Sequence, residues 1–205
     1  MKTVPAKPRT QLDRGGWIDG AIEALAEEGL PGMRVEALAK RFGVTKGSFY
    51  WHFKDRQDLC LAMLQTWKDG RIRDIDKQAA LPAGSECEQL QQIIDVYSAN
   101  RSRKGIAIEL AVRDWARRDP QASAVVEEVD SYRLDSARRL FVATGLSDGE
   151  AKSRSLLLYA YVFGQSLMAY DRFDPKIIDI KQWISRYIVS GETARRTDVQ
   201  EPPAG

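Results

Sequence analysis

Residues 34–56 read Arg34-Val35-Glu36-Ala37-Leu38-Ala39-Lys40-Arg41-Phe42-Gly43-Val44-Thr45-Lys46-Gly47-Ser48-Phe49-Tyr50-Trp51-His52-Phe53-Lys54-Asp55-Arg56. Val35, Leu38, Ala39 and Phe42 recur at helical spacing, so the first part is a short helix with one apolar face. Gly43 stops it, and the Thr45 hydroxyl is placed to cap a second short helix running to Phe53. Two short helices across a tight glycine turn have the spacing of a helix-turn-helix. In the second, Phe49 and Phe53 lie four apart and anchor one side. The other side presents Lys46, Gly47, Tyr50 and Trp51, with Thr45 and Ser48 at the end whose free amides suit a phosphate.

Charge points the same way. This segment holds six cations (Arg34, Lys40, Arg41, Lys46, Lys54, Arg56) against two anions, whereas the whole chain carries only +2. The rest is therefore mildly acidic, and a basic patch on an acidic body implies a local polyanion site. The plainer alternative is a solvated charged face. Other chemistries are thinly supplied. His52 is the only histidine, which excludes an H-E-x-x-H zinc site, and no Gly is followed by Lys, which excludes a Walker A loop. Nothing near His52 offers a nucleophile, so we expect no catalytic residues, no metal and no cofactor. Cys60 and Cys87 are too far apart for a C-x-x-C motif and read as small hydrophobes. The longest apolar run, Leu156 to Phe163, is eight residues, too short for a membrane helix. With no apolar signal-peptide core at the N-terminus, a cytoplasmic protein is expected.

Helical punctuation recurs outward from this segment. Thr10-x-x-Asp13 precedes Trp17, Ile18, Ala21, Ile22 and Leu25, and Gly29 follows as a stop. Asp55 is placed to cap a long helix carrying Leu59, Met63 and Trp67 to about Lys77, with Gly70 as a bending point or a frayed end. Leu81-Pro82-Ala83-Gly84 is a linker. Ser85-x-x-Glu88 and Ser147-x-x-Glu150 are capping boxes, and Asp119-Pro120 and Asp174-Pro175 read as cap plus first helical residue. The expectation is an all-α protein of about nine helices. It divides into a flexible arm (1–9), a helix-turn-helix domain (10–56), a second helical domain (57–191), to which the resemblance described below assigns effector binding and dimerisation, and a disordered tail (192–205).

Over residues 10–65, about a third of the chain, the sequence resembles the tetracycline-repressor (TetR) family, whose DNA-binding signature runs approximately A-x-x-x-G-V-[ST]-x-[GP]-[ST]-[LF]-Y-x-H-F. The resemblance implies an N-terminal three-helix DNA-binding domain. It also implies that Thr45, Tyr50 and His52 touch phosphates while Lys46, Gly47, Ser48 and Trp51 line the major groove, with Lys54 among the contacting cations. Two positions depart from the pattern. Arg34 replaces the Ser or Thr that opens the first short helix, so that cap is missing and Arg34 is free to meet DNA. Arg56 stands where a lysine is common, which keeps charge but not geometry. The plainer reading of Phe49 and Phe53 is core packing, and for Tyr50 and Trp51 a half-buried staple is the alternative to the favoured DNA contact.

The last two helices, read as 150–171 and 175–190, carry more apolar surface than one core needs. Leu156, Tyr159, Ala160, Phe163, Gly164 and Leu167 on the first join Ile180, Trp183, Ile184, Tyr187 and Ile188 on the second. The family places a dimeric four-helix bundle here, and a two-fold partner suits a partly palindromic operator in double-stranded DNA. Residues 85–145 are the candidate effector region, with Tyr97, Glu109, Arg113, Trp115, Tyr132 and Arg133 as aromatic walls and polar fixing points. Core packing and local ion pairing are the alternatives for each. The function expected is a homodimeric transcriptional regulator, a repressor released by an unidentified small-molecule effector. Its rivals are an effector-independent DNA binder and a helical small-molecule enzyme.

Overall fold

The computed structural model describes residues 12–80, 84–98, 103–170 and 172–191. The flexible arm, Thr10, the linker residues 81–83 and the tail named above lie outside the described residues, as does the side chain of Tyr97. The fold is all-α, 81% helical and without strands among the described residues. Nine helices follow one another: α1 (Arg14–Glu28), α2 (Val35–Arg41), α3 (Lys46–Phe49), α4 (Arg56–Ala80), α5 (Glu86–Ser98), α6 (Arg103–Ala116), α7 (Pro120–Ala143), α8 (Asp148–Leu167) and α9 (Ile177–Ser190). A single 3-10 turn, Leu30–Met33, joins α1 to α2. No described helix is long and apolar enough to cross a membrane.

Caps explain most of the boundaries. The Asp13 carboxylate accepts from the Gly16 amide at 2.7 Å and opens α1. Asp55 does the same for Asp58 at 2.9 Å and opens α4, which runs unbroken through Gly70. Asp119 accepts from Ala122 at 3.0 Å and Gln121 at 2.9 Å at the start of α7, and the Ala122 amide is the main cause of its lowered pKa. Of the two capping boxes, Ser85–Glu88 is reciprocal, with bonds of 3.3 and 2.9 Å. The other is half made. Ser147 caps the Glu150 amide at 3.3 Å, but the Glu150 carboxylate turns to Arg154 at 2.8 Å.

Several boundaries differ from expectation, among them α8, which starts at Asp148 rather than 150, and α4, which runs to Ala80. The recognition helix ends at Phe49, not Phe53, because the Phe49 carbonyl accepts from both His52 (2.9 Å) and Phe53 (3.0 Å) and the chain tightens into turns before Asp55 caps α4. α8 ends at Leu167 rather than 171, where Met168 takes extended backbone. α9 starts at Ile177, because Asp174 spends its carboxylate on the Lys176 amide at 2.6 Å in a separate turn.

The chain forms two compact units, Met1–Asp74 with Arg101–Tyr132, and Ile75–Asn100 with Arg133–Gly205. In the first, Trp17, Leu25, Met33, Leu38, Phe49, Phe53 and Leu59 are buried together with Val112, Trp115 and Val129. The Trp17 ring meets Phe42 edge-on at 5.2 Å and Phe49 at 5.4 Å, and Phe53 stacks on Phe49 at 5.3 Å. In the second, α5, α8 and α9 pack around Leu90, Ile94, Phe141, Leu158, Val162 and Ile188.

A four-residue helix has too few hydrogen bonds to persist alone, so α3 depends on this aromatic packing. Phe49→Ala is expected to cost about 3–5 kcal/mol of stability, and Phe49→Leu less than half of that. Urea unfolding followed by tryptophan fluorescence measures both. Equal losses below about 1 kcal/mol would show that the cluster does not hold the segment.

Candidate nucleic-acid interface

The turn between α2 and α3 is set by Gly43, whose φ of 66° lies in the left-handed region that a side chain disfavours. Thr45 then caps α3 through its hydroxyl, which accepts from the Ser48 amide at 3.3 Å, while the Ser48 hydroxyl donates to the Thr45 carbonyl at 2.7 Å. Those bonds occupy both hydroxyls with the helix start. Arg34 makes no cap, as the sequence implied, and its Nε donates to the Pro31 carbonyl at 3.3 Å.

Burying Phe49 turns its neighbours outward. Trp51 is 86% exposed and Tyr50 54%, although the Tyr50 ring still meets Phe49 edge-on at 5.2 Å. An indole in water at that exposure is poorly explained by the protein's own packing. His52 is half-buried beside Phe53, and Lys46, Gly47 and Lys54 are exposed. At Gly47 a Cβ would meet only the Thr45 hydroxyl, at 3.8 Å, so nothing inside the chain requires glycine there. A glycine free of internal cause on an exposed helix start fits close approach by an outside partner.

The six cations divide by what they touch. Arg41 bridges α2 to α1 through Glu27 (2.8 Å) and Glu28 (2.9 Å), chiefly the former, which raises its pKa. Arg56 donates to the Met33 carbonyl at 3.0 Å. These two brace the domain. Lys46 pairs with Glu36, a bond that raises the pKa of the lysine and lowers that of the glutamate. Lys40 and Lys54 form no ion pair among the described residues, and both are exposed. Sequence reasoning did not find Glu36 as the partner of Lys46, nor Arg14, whose guanidinium covers the Phe53 ring at 4.9 Å. Both contacts cross a turn, where helical spacing gives no signal.

Residues 18–63 match the description "Bacterial regulatory proteins, tetR family". The HTH-type transcriptional regulator AcrR of Shigella flexneri is 38% identical over 200 residues, covering 89% of this chain and 88% of that protein. This chain belongs to the tetR family of bacterial regulatory proteins. It is a DNA-binding transcriptional regulator. Solved TetR-type structures share the fold at low identity. The reduced form of Escherichia coli NemR matches with TM-score 0.70 and 16% identity, over 86% of this chain and 97% of that one. Bacillus subtilis FadR, solved with stearoyl-CoA, matches with TM-score 0.61 and 19% identity, over 86% and 98%.

The six expected effector residues of this TetR-family chain are distributed over both units. Glu109 is buried and receives Arg113 Nε at 3.0 Å, while Arg113 also forks onto Asp130 at 2.8 and 2.5 Å. Trp115 is a core residue whose side chain hydrogen-bonds Asp119, and Tyr132 is half-buried. Arg133 is buried in the second unit, its guanidinium 5.4 Å from the Phe163 ring centre. The structure thus joins Glu109 to Arg113 within the first unit, whereas Arg133 belongs to the second.

The Lys46–Glu36 pair is exposed at both ends, so it is easily exchanged for another anion. Glu36→Gln removes both the competitor and a negative charge from the interface. Binding to any DNA duplex is expected to tighten several-fold at low salt, with the gain fading at high salt, as fluorescence-anisotropy titrations would show. Unchanged or weaker binding would mean that the Lys46–Glu36 pair lies away from the bound duplex.

Proposed function

We propose that the protein is a homodimeric repressor that occupies a partly palindromic operator and leaves it when a small molecule binds. The reading rests above all on the combination of an exposed, aromatic-anchored α3 in one unit with exposed apolar residues on α8 and α9 in the other. Thr45, Tyr50 and His52 position the sugar-phosphate backbone, with Arg34 and Lys54 adding charge. Lys46, Gly47, Ser48 and Trp51 face base edges in the major groove. The Thr45 hydroxyl accepts from the Ser48 amide and keeps its own proton to donate to a phosphate.

Leu156 (62% exposed), Leu167 (68%), Trp183 and Tyr187 supply the partner surface, and the last two stack at 5.5 Å with nearly parallel rings. Ala160, Gly164 and Ile180 adjoin them, whereas Phe163 and Ile184 pack partly against the unit's own core. Tyr159 and Ile188 are buried there, which removes them from the exposed surface that the sequence spacing gave them. Two such protomers present two α3 segments, and the half-sites then lie about 34–36 Å, or a multiple of that, apart. A ligand that weakens operator binding 100-fold carries about 2.7 kcal/mol of coupling, and operator DNA must weaken ligand binding equally. α4 and α7 each contain residues of both units, and they are the covalent route for that coupling. The relatives are transcriptional regulators, and we read this chain as no enzyme and as cytoplasmic.

The test combines Leu156→Glu with Trp183→Glu, both exposed, so that carboxylates on the two facing surfaces repel each other and the protomer core is spared. Sedimentation should then show monomers where the wild type is a dimer. In a reporter carrying a bound operator, the wild type should lower transcription and the double variant should not. A monomeric wild type that still represses, or a wild type that raises transcription, contradicts the proposal.

A further inference from the structure

Two anions stand among the six cations of residues 34–56. Asp55 caps α4. Glu36, in the first turn of α2, reaches across the glycine turn and accepts a hydrogen bond from Lys46 at the start of α3. The Glu36 side chain is 65% exposed and that of Lys46 51%. Arg34 acts on the charge of Glu36 and Tyr50 on that of Lys46, so the pair sits amid the residues assigned to DNA above.

Stability does not explain the pair, because an ion pair this exposed contributes little. A carboxylate at the start of α2 suits the helix dipole, but that role needs no partner on α3. Toward DNA the negative charge is a cost, since it repels the phosphates of every duplex alike. Such a cost is retained where it discriminates between partners.

The major groove supplies something to discriminate. A G·C pair presents guanine N7 and O6 as acceptors, with the cytosine N4 donor beside them. A lysine already bonded to a carboxylate carries the matching edge, with ammonium hydrogens for N7 and O6 and a carboxylate oxygen for N4. An A·T pair presents one acceptor and one donor on adenine, and then thymine O4, an acceptor that faces the carboxylate. All three groups are satisfied only by G·C.

We propose that Glu36 is a specificity-determining residue, and that Lys46 takes the guanine and Glu36 the cytosine of one base pair without the two side chains separating. This rests on the DNA-binding reading of α3 above and adds a residue of α2 to the contact.

The experiment uses the full chain as wild type, Lys46→Ala, Glu36→Ala and Glu36→Gln. Each protein selects sites from a random-sequence DNA library. Each is then titrated, by fluorescence anisotropy, with the wild-type site and two altered forms of it. In one, the base pair that Lys46→Ala relaxes is replaced by A·T. In the other, its cytosine is replaced by 2-pyrimidinone, which lacks the N4 amino group. Ratios between duplexes for one protein separate discrimination from the general gain in affinity on losing a negative charge.

The wild type should enrich G·C at that position and bind either altered duplex about tenfold more weakly. Glu36→Ala should relax the same position and bind the parent and 2-pyrimidinone duplexes equally. Glu36→Gln, which keeps the side chain's length, should admit adenine in place of cytosine. If Glu36→Ala melts below the wild type, Glu36→Gln decides, and an unchanged preference for cytosine in that variant overturns the proposal. Enrichment of A·T at the position, equal binding of the parent and 2-pyrimidinone duplexes by the wild type, or changes at different base pairs in Lys46→Ala and Glu36→Ala also overturn it. So does a Lys46→Ala or Glu36→Ala profile identical to that of the wild type. These results leave the DNA-binding reading in place, whereas enrichment of no common sequence by the wild type overturns both.

Discussion

The Phe49 ring is the contact on which the exposed face of α3 depends. α3 is four residues long, too short to fix its own direction, and Trp17, Phe53 and the edge of Tyr50 hold it through that one side chain. With Phe49 inward, Lys46, Gly47, Tyr50 and Trp51 all lie exposed around it, the last two in the turns that follow α3. The exposure of an indole and a phenol is thus a consequence of burying a phenylalanine. The same packing explains why the domain can carry a dense set of cations. Arg41 and Arg56 are engaged with groups of the first unit, Lys46 is balanced by an exchangeable glutamate, and Lys40 and Lys54 remain in water.

The second unit solves a different problem with the same materials. Its core takes Leu158, Tyr159, Val162 and Ile188, yet Leu156, Leu167, Trp183 and Tyr187 stay exposed. Surplus apolar surface of this kind marks an interaction site. Between the two sets lies a cavity with a lysine and an unpartnered tyrosine hydroxyl.

Much of the architecture was legible because caps and periodicity are local. Asp13, Thr45, Asp55, Ser85 and Asp119 each stand at a helix start that their side chains stabilise. The recognition segment was legible for a further reason, since a glycine turn and a phenylalanine pair constrain each other over a dozen residues. What escaped was non-local. Ion pairs such as Arg113–Asp130 and Arg41–Glu27 join different helices, which helical spacing within one segment does not signal. The early ends of α3 and α8 depend on what the chain does next, and a helical pattern continues past both. The cavity between α8 and α9 arises from how two helices and a connection pack, which no window of sequence encodes.

The central claim is that a pair of α3 segments reads a specific duplex. Selection of bound sites from a random-sequence DNA library tests it most directly, with the wild type and Lys46→Ala run in parallel. The wild type should enrich a partly palindromic site whose halves lie one or more helical turns apart. Lys46→Ala should keep that spacing and relax the preference at one symmetric base position. Enrichment of no common sequence, of a single unrepeated site, or of an identical base profile by both proteins would contradict the account.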